Sequence, residues 1–398
     1  GERSPSAMID AAASGRMAVA EALTNLVASD VRDLKDVKLS ANWMAACGVD
    51  GQDAALFDTV QAVSQWCQSL GLSIPVGKDS LSMRTSWEQD GESRQVISPV
   101  SLVVTAFAQV ADVRRTLTPQ LQTNVGDTAL VLIDLGQGKQ RMGASVLAHA
   151  FNQVGQSVPD MQDAEAMLAF VKVIRQLADQ DLILAYHDRS DGGLAATVAE
   201  MAFAGHTGVS VNLDMLTIDP HAADWGDYKI RAEQVSVQRD EITLRALFNE
   251  EAGAVIQVPL AQRDQVMQIL REAGLSAHSH VIGGLNKTDQ VEFYRDGACI
   301  YQAPRVELAQ QWSEVSRRIM ERRDNPACAQ AEFDRWEDVQ DPGISPRVMF
   351  NPQEDIAAPF IATGKRPRVA ILREQGCNSQ VEMAWAFDTA GFEAVDVH

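Results

Sequence analysis

The stretch from Leu182 to Ala204 constrains the fold most. An apolar run, Leu182 to Tyr186, leads into the polar sequence His187-Asp188-Arg189-Ser190-Asp191-Gly192-Gly193. An Ala-rich run follows, with apolar residues at Leu194, Val198, Met201 and Ala202. A short apolar run reads as a buried strand, and the three-to-four spacing reads as a helix. The segment therefore predicts a strand, a tight polar loop and a helix start, a unit that belongs in a layered α/β or α+β domain. Adjacent glycines let backbone N–H groups approach a ligand, and the dipole of a helix start favours an anion. Asp188 can hold a cation beside that anion, and Ser190 can donate a hydroxyl bond. One reading is thus a phosphate with Mg2+ at Asp188, Ser190, Gly192 and Gly193. The other is a helix capped by Ser190 or Asp191 after a glycine turn.

Met8 to Ala28 reads as one helix, with Val19, Leu23, Leu26 and Val27 on one face. Glu21 and Asn25 are four apart, so they stack on the opposite face beside Ser14, Met17, Ala18 and Ala28. A solvated helix face normally carries charges of both signs. A lone carboxylate and a lone carboxamide on a small, otherwise uncharged stripe fit oxygen ligands for Mg2+, or an ordinary surface with one glutamate.

Acidic residues outnumber basic ones by 54 to 34, giving a formal charge of −20. This argues against nucleic-acid or anionic-membrane binding, which needs a basic surface. A phosphorylated ligand would be repelled at long range and would need local neutralisation. The five cysteines are widely spaced with no CxxC pair, and the seven histidines form no cluster. This is neither a zinc pattern nor a disulfide framework, and it suggests a reducing cytoplasm. No apolar run approaches membrane-spanning length.

Residues 1–113 read as one α/β unit. It contains strands at Lys38 to Cys47, Ser73 to Val76 and Ser101 to Val110, and a helix at Leu56 to Leu70. Gly77-Lys78-Asp79-Ser80 reads as a polar loop in which Lys78 and Asp79 could contact a phosphate or brace each other, although the full Gly-x-x-x-x-Gly-Lys pattern is absent. Residues 126–303 read as a second α/β unit with a surface insertion at 216–243. Residues 304–365 read as a charged helix, Val306 to Arg323, and an extended stretch. Residues 366–398 read as the start of a βαβ unit, which implies a further domain cut short. The first methionine is Met8 and the chain closes directly after a strand-like run, so a piece of a longer protein is expected.

The blocks "GERSPSAMIDAAASGRMAVAEALTN", "KLSANWMAACG", "IPVGKDSLSM", "AYHDRSDGGLAATVAEMAFAGH" and "LFNEEAGAVIQV" resemble the large type of phosphoribosylformylglycinamidine synthase. "RPRVAILREQGCNSQVEMAWAFDTAGFEAVDVH" resembles the opening of that family's glutaminase domain. The resemblance implies the second of two aminoimidazole ribonucleotide synthetase-like halves, with N- and C-terminal domains, followed by the first βαβ unit of a class I glutaminase-like domain. It implies an ATP- and glutamine-dependent ligase of purine biosynthesis that converts formylglycinamide ribonucleotide to the amidine. It places metal ligands on Glu21, Asn25 and Asp188 and a nucleotide contact on Ser190, with Mg2+ and ATP or ADP as cofactors. The partners implied are the first synthetase half and the remaining glutaminase domain.

No catalytic residue falls in this chain, which alone would be inactive. Cys377, at a strand-to-helix turn, does not match the glutaminase nucleophile. His187 reads as a strand-end residue that packs and hydrogen-bonds. The competing readings are a non-catalytic ADP-holding half and a stand-alone phosphotransferase of the same superfold. "GERSP", "SANWMAA" and the glutaminase-like tail speak against the latter.

Overall fold

The computed structural model describes residues 1–218 and 232–398. The chain divides into two compact units, residues 1–339 and 340–398.

The first unit opens with a 3-10 turn, Ser4–Met8, and helix α1, Ala11–Leu26. The single helix expected over Met8 to Ala28 is thus broken at Asp10. The Asp10 carboxylate accepts the Ala13 N–H at 2.9 Å and starts the helix there. Strand β1 (Lys38–Met44), helix α2 (Gln52–Leu70) and strand β2 (Ser73–Ser80) follow. A hairpin of β3 (Arg84–Gln89) and β4 (Glu92–Ile97) comes next, and then β5 (Ser101–Phe107). The order in the small sheet is β2-β1-β5, with β2 parallel and β5 antiparallel to β1.

β2 runs through the expected loop: Lys78 pairs in register with Asn42, and Asp79 with Trp43. Gly77 is a site of close approach, not a turn. A Cβ there would lie 2.2 Å from the Ala41 carbonyl oxygen, so only glycine lets the two strands meet. The hairpin has no buried apolar face to mark it in sequence, since all its residues but Ile97 are exposed.

The larger sheet takes strands β6 (Thr128–Asp134), β7 (Ala185–Asp188), β8 (Gly208–Asn212), β9 (Gly253–Pro259), β10 (Ser279–Asn286), β11 (Gln290–Arg295) and β12 (Ala298–Pro304). Their order is β12-β11-β8-β10-β6-β9-β7. Helices α3 (Val146–Ala150), α4 (Ala164–Asp179), α5 (Gly193–Gly205), α6 (Ala232–Phe248) and α7 (Arg263–Glu272) lie between the strands in sequence, and α8 (Arg305–Arg323) and α9 (Pro326–Asp334) follow them.

Both faces of the sheet are covered, which explains why β6 is apolar throughout. Ala129, Val131 and Ile133 join a core with α1, α4 and α7. Leu130 and Leu132 join a second core with α5 and β8. The first core is continuous from α1 and β1 into α4, so the two sheets share one hydrophobic interior.

Of the insertion placed at 216–243, residues 219–231 lie outside the described residues. From Ala232 the chain is already α6, which takes up the rest of that insertion and ends at Phe248. The stretch after Arg323 is not all extended, because Asn325 caps α9 by accepting the Ala327 N–H at 2.9 Å. The second unit holds α10 (Ala358–Ile361), β13 (Arg368–Leu372), α11 (Gln380–Thr389) and β14 (Glu393–Val397), with β13 and β14 parallel. Among the described residues, no helix is long and apolar enough to cross a membrane.

Candidate functional site

One hydrogen bond aligns the two elements that carry the site. The Tyr186 hydroxyl, fully buried on β7, donates to the Thr24 carbonyl on α1. Thr24 lies between Glu21 and Asn25, and Asp188 is two residues beyond Tyr186 on the same side of the strand. Glu21, Asn25, Asp188 and Ser190 therefore line one cavity of about 650 Å³. Ala22, Leu26, Val103, Val104 and Ala106 give it an apolar side.

The cavity is acidic. Glu21, Asp188, Asp191 and Glu200 line it, and His187 is the cationic side chain among them. Glu21 accepts the Ser190 hydroxyl and, at 2.8 Å, the Glu2 N–H. Both ring nitrogens of His187 face acceptors: the Asp188 carbonyl at 2.7 Å and the Glu200 carboxylate at 2.9 Å. Burial works against a charged ring. Hydrogen bonding to Asp188 and Glu200, and their charges, more than offset it and raise His187 from 6.5 to about 9.

The N–H groups expected to cradle a phosphate, those of Gly192 and Gly193, bond within the protein. The Gly192 N–H donates to Glu250 Oε1 at 2.9 Å, and the Gly193 N–H to the Ser190 carbonyl at 3.0 Å. Glu250 also accepts the Val146 N–H at 2.8 Å, and buried Arg3 lies 3.2 Å from its other oxygen. A protein carboxylate thus occupies the α5 start where a phosphate was expected. The glycines serve packing instead: Gly193 has φ +65°, and a Cβ there would lie 2.6 Å from the Asn249 carbonyl oxygen. Nothing local marks Glu250 for this role; the bond closes across 58 residues. Lys78 and Asp79 are not part of the cavity. Lys78 Nζ donates to Ser80 Oγ at 2.9 Å on exposed β2.

The donors fit a hard cation only in part. Two carboxylates and a carboxamide suit Mg2+, which takes few protein oxygens and completes its shell from phosphate and water. Among the described residues, no group of three or more His, Cys, Asp or Glu side chains is placed to hold a metal alone. A metal here would complete its shell with oxygens of phosphate or water.

Residues 1–109 match the family described as the FGAR-AT PurM_N-like domain. Residues 124–296 match the AIR synthase related protein, C-terminal domain, and residues 366–398 the CobB/CobQ-like glutamine amidotransferase domain. The chain belongs to the FGAR-AT, or phosphoribosylformylglycinamidine synthase, family. Solved structures of similar fold include Thermotoga maritima PurL complexed with FGAR, at 12% identity and a TM-score of 0.52, covering 77% of this chain and 44% of that one. Another is T. maritima PurL complexed with ATP, at 12% identity and a TM-score of 0.50, covering 77% and 43%. T. maritima phosphoribosylformylglycinamidine synthase II gives 11% identity and a TM-score of 0.51, covering 99% and 50%. The FGAR-AT chain described here thus spans about half the length of these structures or less.

His187 makes stability depend on pH. Its folded value of about 9 lies above the ordinary 6.5, so the native state holds the proton more tightly. The stability it contributes is complete below pH 6.5 and is lost as pH rises through about 9, at most roughly 3 kcal/mol. Urea denaturation at about pH 6 and about pH 9.5 should show this loss, and His187→Asn should flatten the profile. An unchanged profile in that variant would remove the imidazole as its source.

Proposed function

We propose that the cavity holds an adenine nucleotide, ATP or ADP, through Mg2+ bound by Glu21, Asn25 and Asp188, with Ser190 at the phosphates. The observation that carries this reading is the convergence of these residues, from α1 and from the end of β7, on one acidic cavity with an apolar side. When bound, Mg2+ offsets the charge on the phosphates. The apolar side, Val103, Val104, Ala106 and Leu26, suits an adenine ring.

The parent activity is the ATP- and glutamine-dependent conversion of formylglycinamide ribonucleotide to its amidine, in the cytoplasm. The first synthetase half and the full glutaminase domain would be partners of this chain. Within that activity the site holds the nucleotide and does not turn it over. Both ring nitrogens of His187 and both oxygens of Glu200 are already engaged within the protein. This leaves neither free to act on a bound phosphate.

Calorimetric titration tests the reading. MgADP is expected to bind, Mg2+ alone and ADP with EDTA are not, and MgATP should be bound without release of phosphate. Absence of MgADP binding would overturn the site, and steady phosphate release would overturn the holding role.

A further inference from the structure

Glu200 lines the cavity, yet both of its oxygens are committed to protein donors. Oε2 faces His187 Nε2 at 2.9 Å, and Oε1 accepts the Trp312 indole N–H at 2.9 Å. His187 Nδ1 in turn donates to the Asp188 carbonyl at 2.7 Å. The bonds form one unbroken chain, Trp312–Glu200–His187–Asp188, running from α8 to the end of β7.

The α8 end of this chain is seated by aromatic packing. The Trp312 ring lies 6.1 Å from Phe203 of α5, and Phe203 also meets Trp336 at 6.1 Å. The Trp336 indole N–H donates to Ser313 Oγ at 3.1 Å. Helix α8 begins at Arg305, beyond residue 296 where the match to the AIR synthase related domain ends. A helix beyond the matched segment, within the same compact unit, therefore supplies a hydrogen bond to a residue of the cavity. A donor at each oxygen restrains the Glu200 carboxylate, which meets the His187 ring that is bonded to the Asp188 peptide.

We propose that Glu200 is a positioning residue through which α8 holds the Asp188 end of the cavity, so that nucleotide binding and the seating of Trp312 are coupled. The proposal rests on the Mg-nucleotide reading above. If α8 and the cavity were independent, a change at either end would not be felt at the other.

The test uses the whole 398-residue chain with 15N-labelled tryptophan. The Trp312 indole signal is the one missing from Trp312→Phe, a variant that keeps an aromatic ring against Phe203. MgADP should shift this signal in the parent. In Glu200→Ala the shift should vanish and MgADP affinity should fall about tenfold, as when a ligand's hydrogen-bond partner is removed. Trp312→Phe should lose a smaller part of the affinity while melting close to the parent.

The proposal is overturned if MgADP binds but leaves the Trp312 signal unmoved, or if Glu200→Ala binds MgADP like the parent. Should the parent bind no MgADP, the nucleotide reading falls, and the ligand-free arm decides the proposal. His187→Asn must then move the Trp312 indole signal across Glu200, and an unmoved signal overturns it.

Discussion

Asp188→Asn is expected to abolish most of the thermal stabilisation that MgADP confers. A ligand that binds only the folded chain stabilises it by about 2.7 kcal/mol at a hundredfold excess over its dissociation constant. That gain depends on the metal, because Glu21, Asp188, Asp191 and Glu200 would otherwise repel the phosphates. Asp188 is a carboxylate in the cavity wall, and replacing it with a neutral amide removes charge where the cation must sit. The backbone carbonyl that binds His187 is retained, while the ion pair of the Asp188 carboxylate with that ring, 3.6 Å away, is lost, so the ligand-free melting temperature of the variant is the reference for its MgADP shift. Glu21→Gln keeps an acceptor for the Ser190 hydroxyl and should lose nearly as much. Asn25→Ala should lose less, since water can replace a carboxamide oxygen. EDTA should erase the shift in the parent chain. Equal MgADP shifts in the parent, Asp188→Asn and Glu21→Gln would show that these residues do not hold the metal.

Glu250→Ala is expected to destabilise the first unit by about 3–5 kcal/mol without any ligand, the range for removing one partner of a buried charge pair. Glu250 is 5% exposed and accepts the N–H groups of Gly192 and Val146, while Arg3, 6% exposed, lies against its carboxylate. Truncation leaves two N–H groups and a guanidinium without that acceptor in a closed interior. Urea denaturation measures the loss, and an Arg3→Ala, Glu250→Ala cycle isolates the pair. If the pair is coupled as its distance implies, the double variant should lose less than the two single losses together. A loss below about 1 kcal/mol for Glu250→Ala would mean that water replaces the carboxylate.

The same carboxylate marks where reading along the chain stops. The order of strand, polar loop and helix around Asp188 is visible in sequence because each depends on neighbours a few residues away, although the strand, expected at Leu182 to Tyr186, lies at Ala185–Asp188 and takes in His187 and Asp188. The stacking of Glu21 on Asn25 follows from helical spacing alone. The fate of the Gly192 N–H does not, since its acceptor lies 58 residues on. Lys78 and Asp79 look like loop residues because glycine usually signals a turn. At Gly77 the missing side chain instead admits a neighbouring strand. The link from Trp312 to Glu200 spans 112 residues and leaves no local pattern.

The sequence by itself determined the alternation of strands and helices and the candidate oxygen ligands on α1 and after β7. Hydrogen bonds within one turn and the repeat of apolar side chains act over short distances and are written in adjacent residues. Only the tertiary structure decided which of those polar groups remain open to a ligand. Tyr186 had to reach Thr24 across 162 residues before Asp188 could stand beside Glu21. Glu250 had to fold onto the α5 start before the Gly192 N–H was closed. Such pairings depend on how two apolar faces come to share one core, and no short stretch of chain contains both partners.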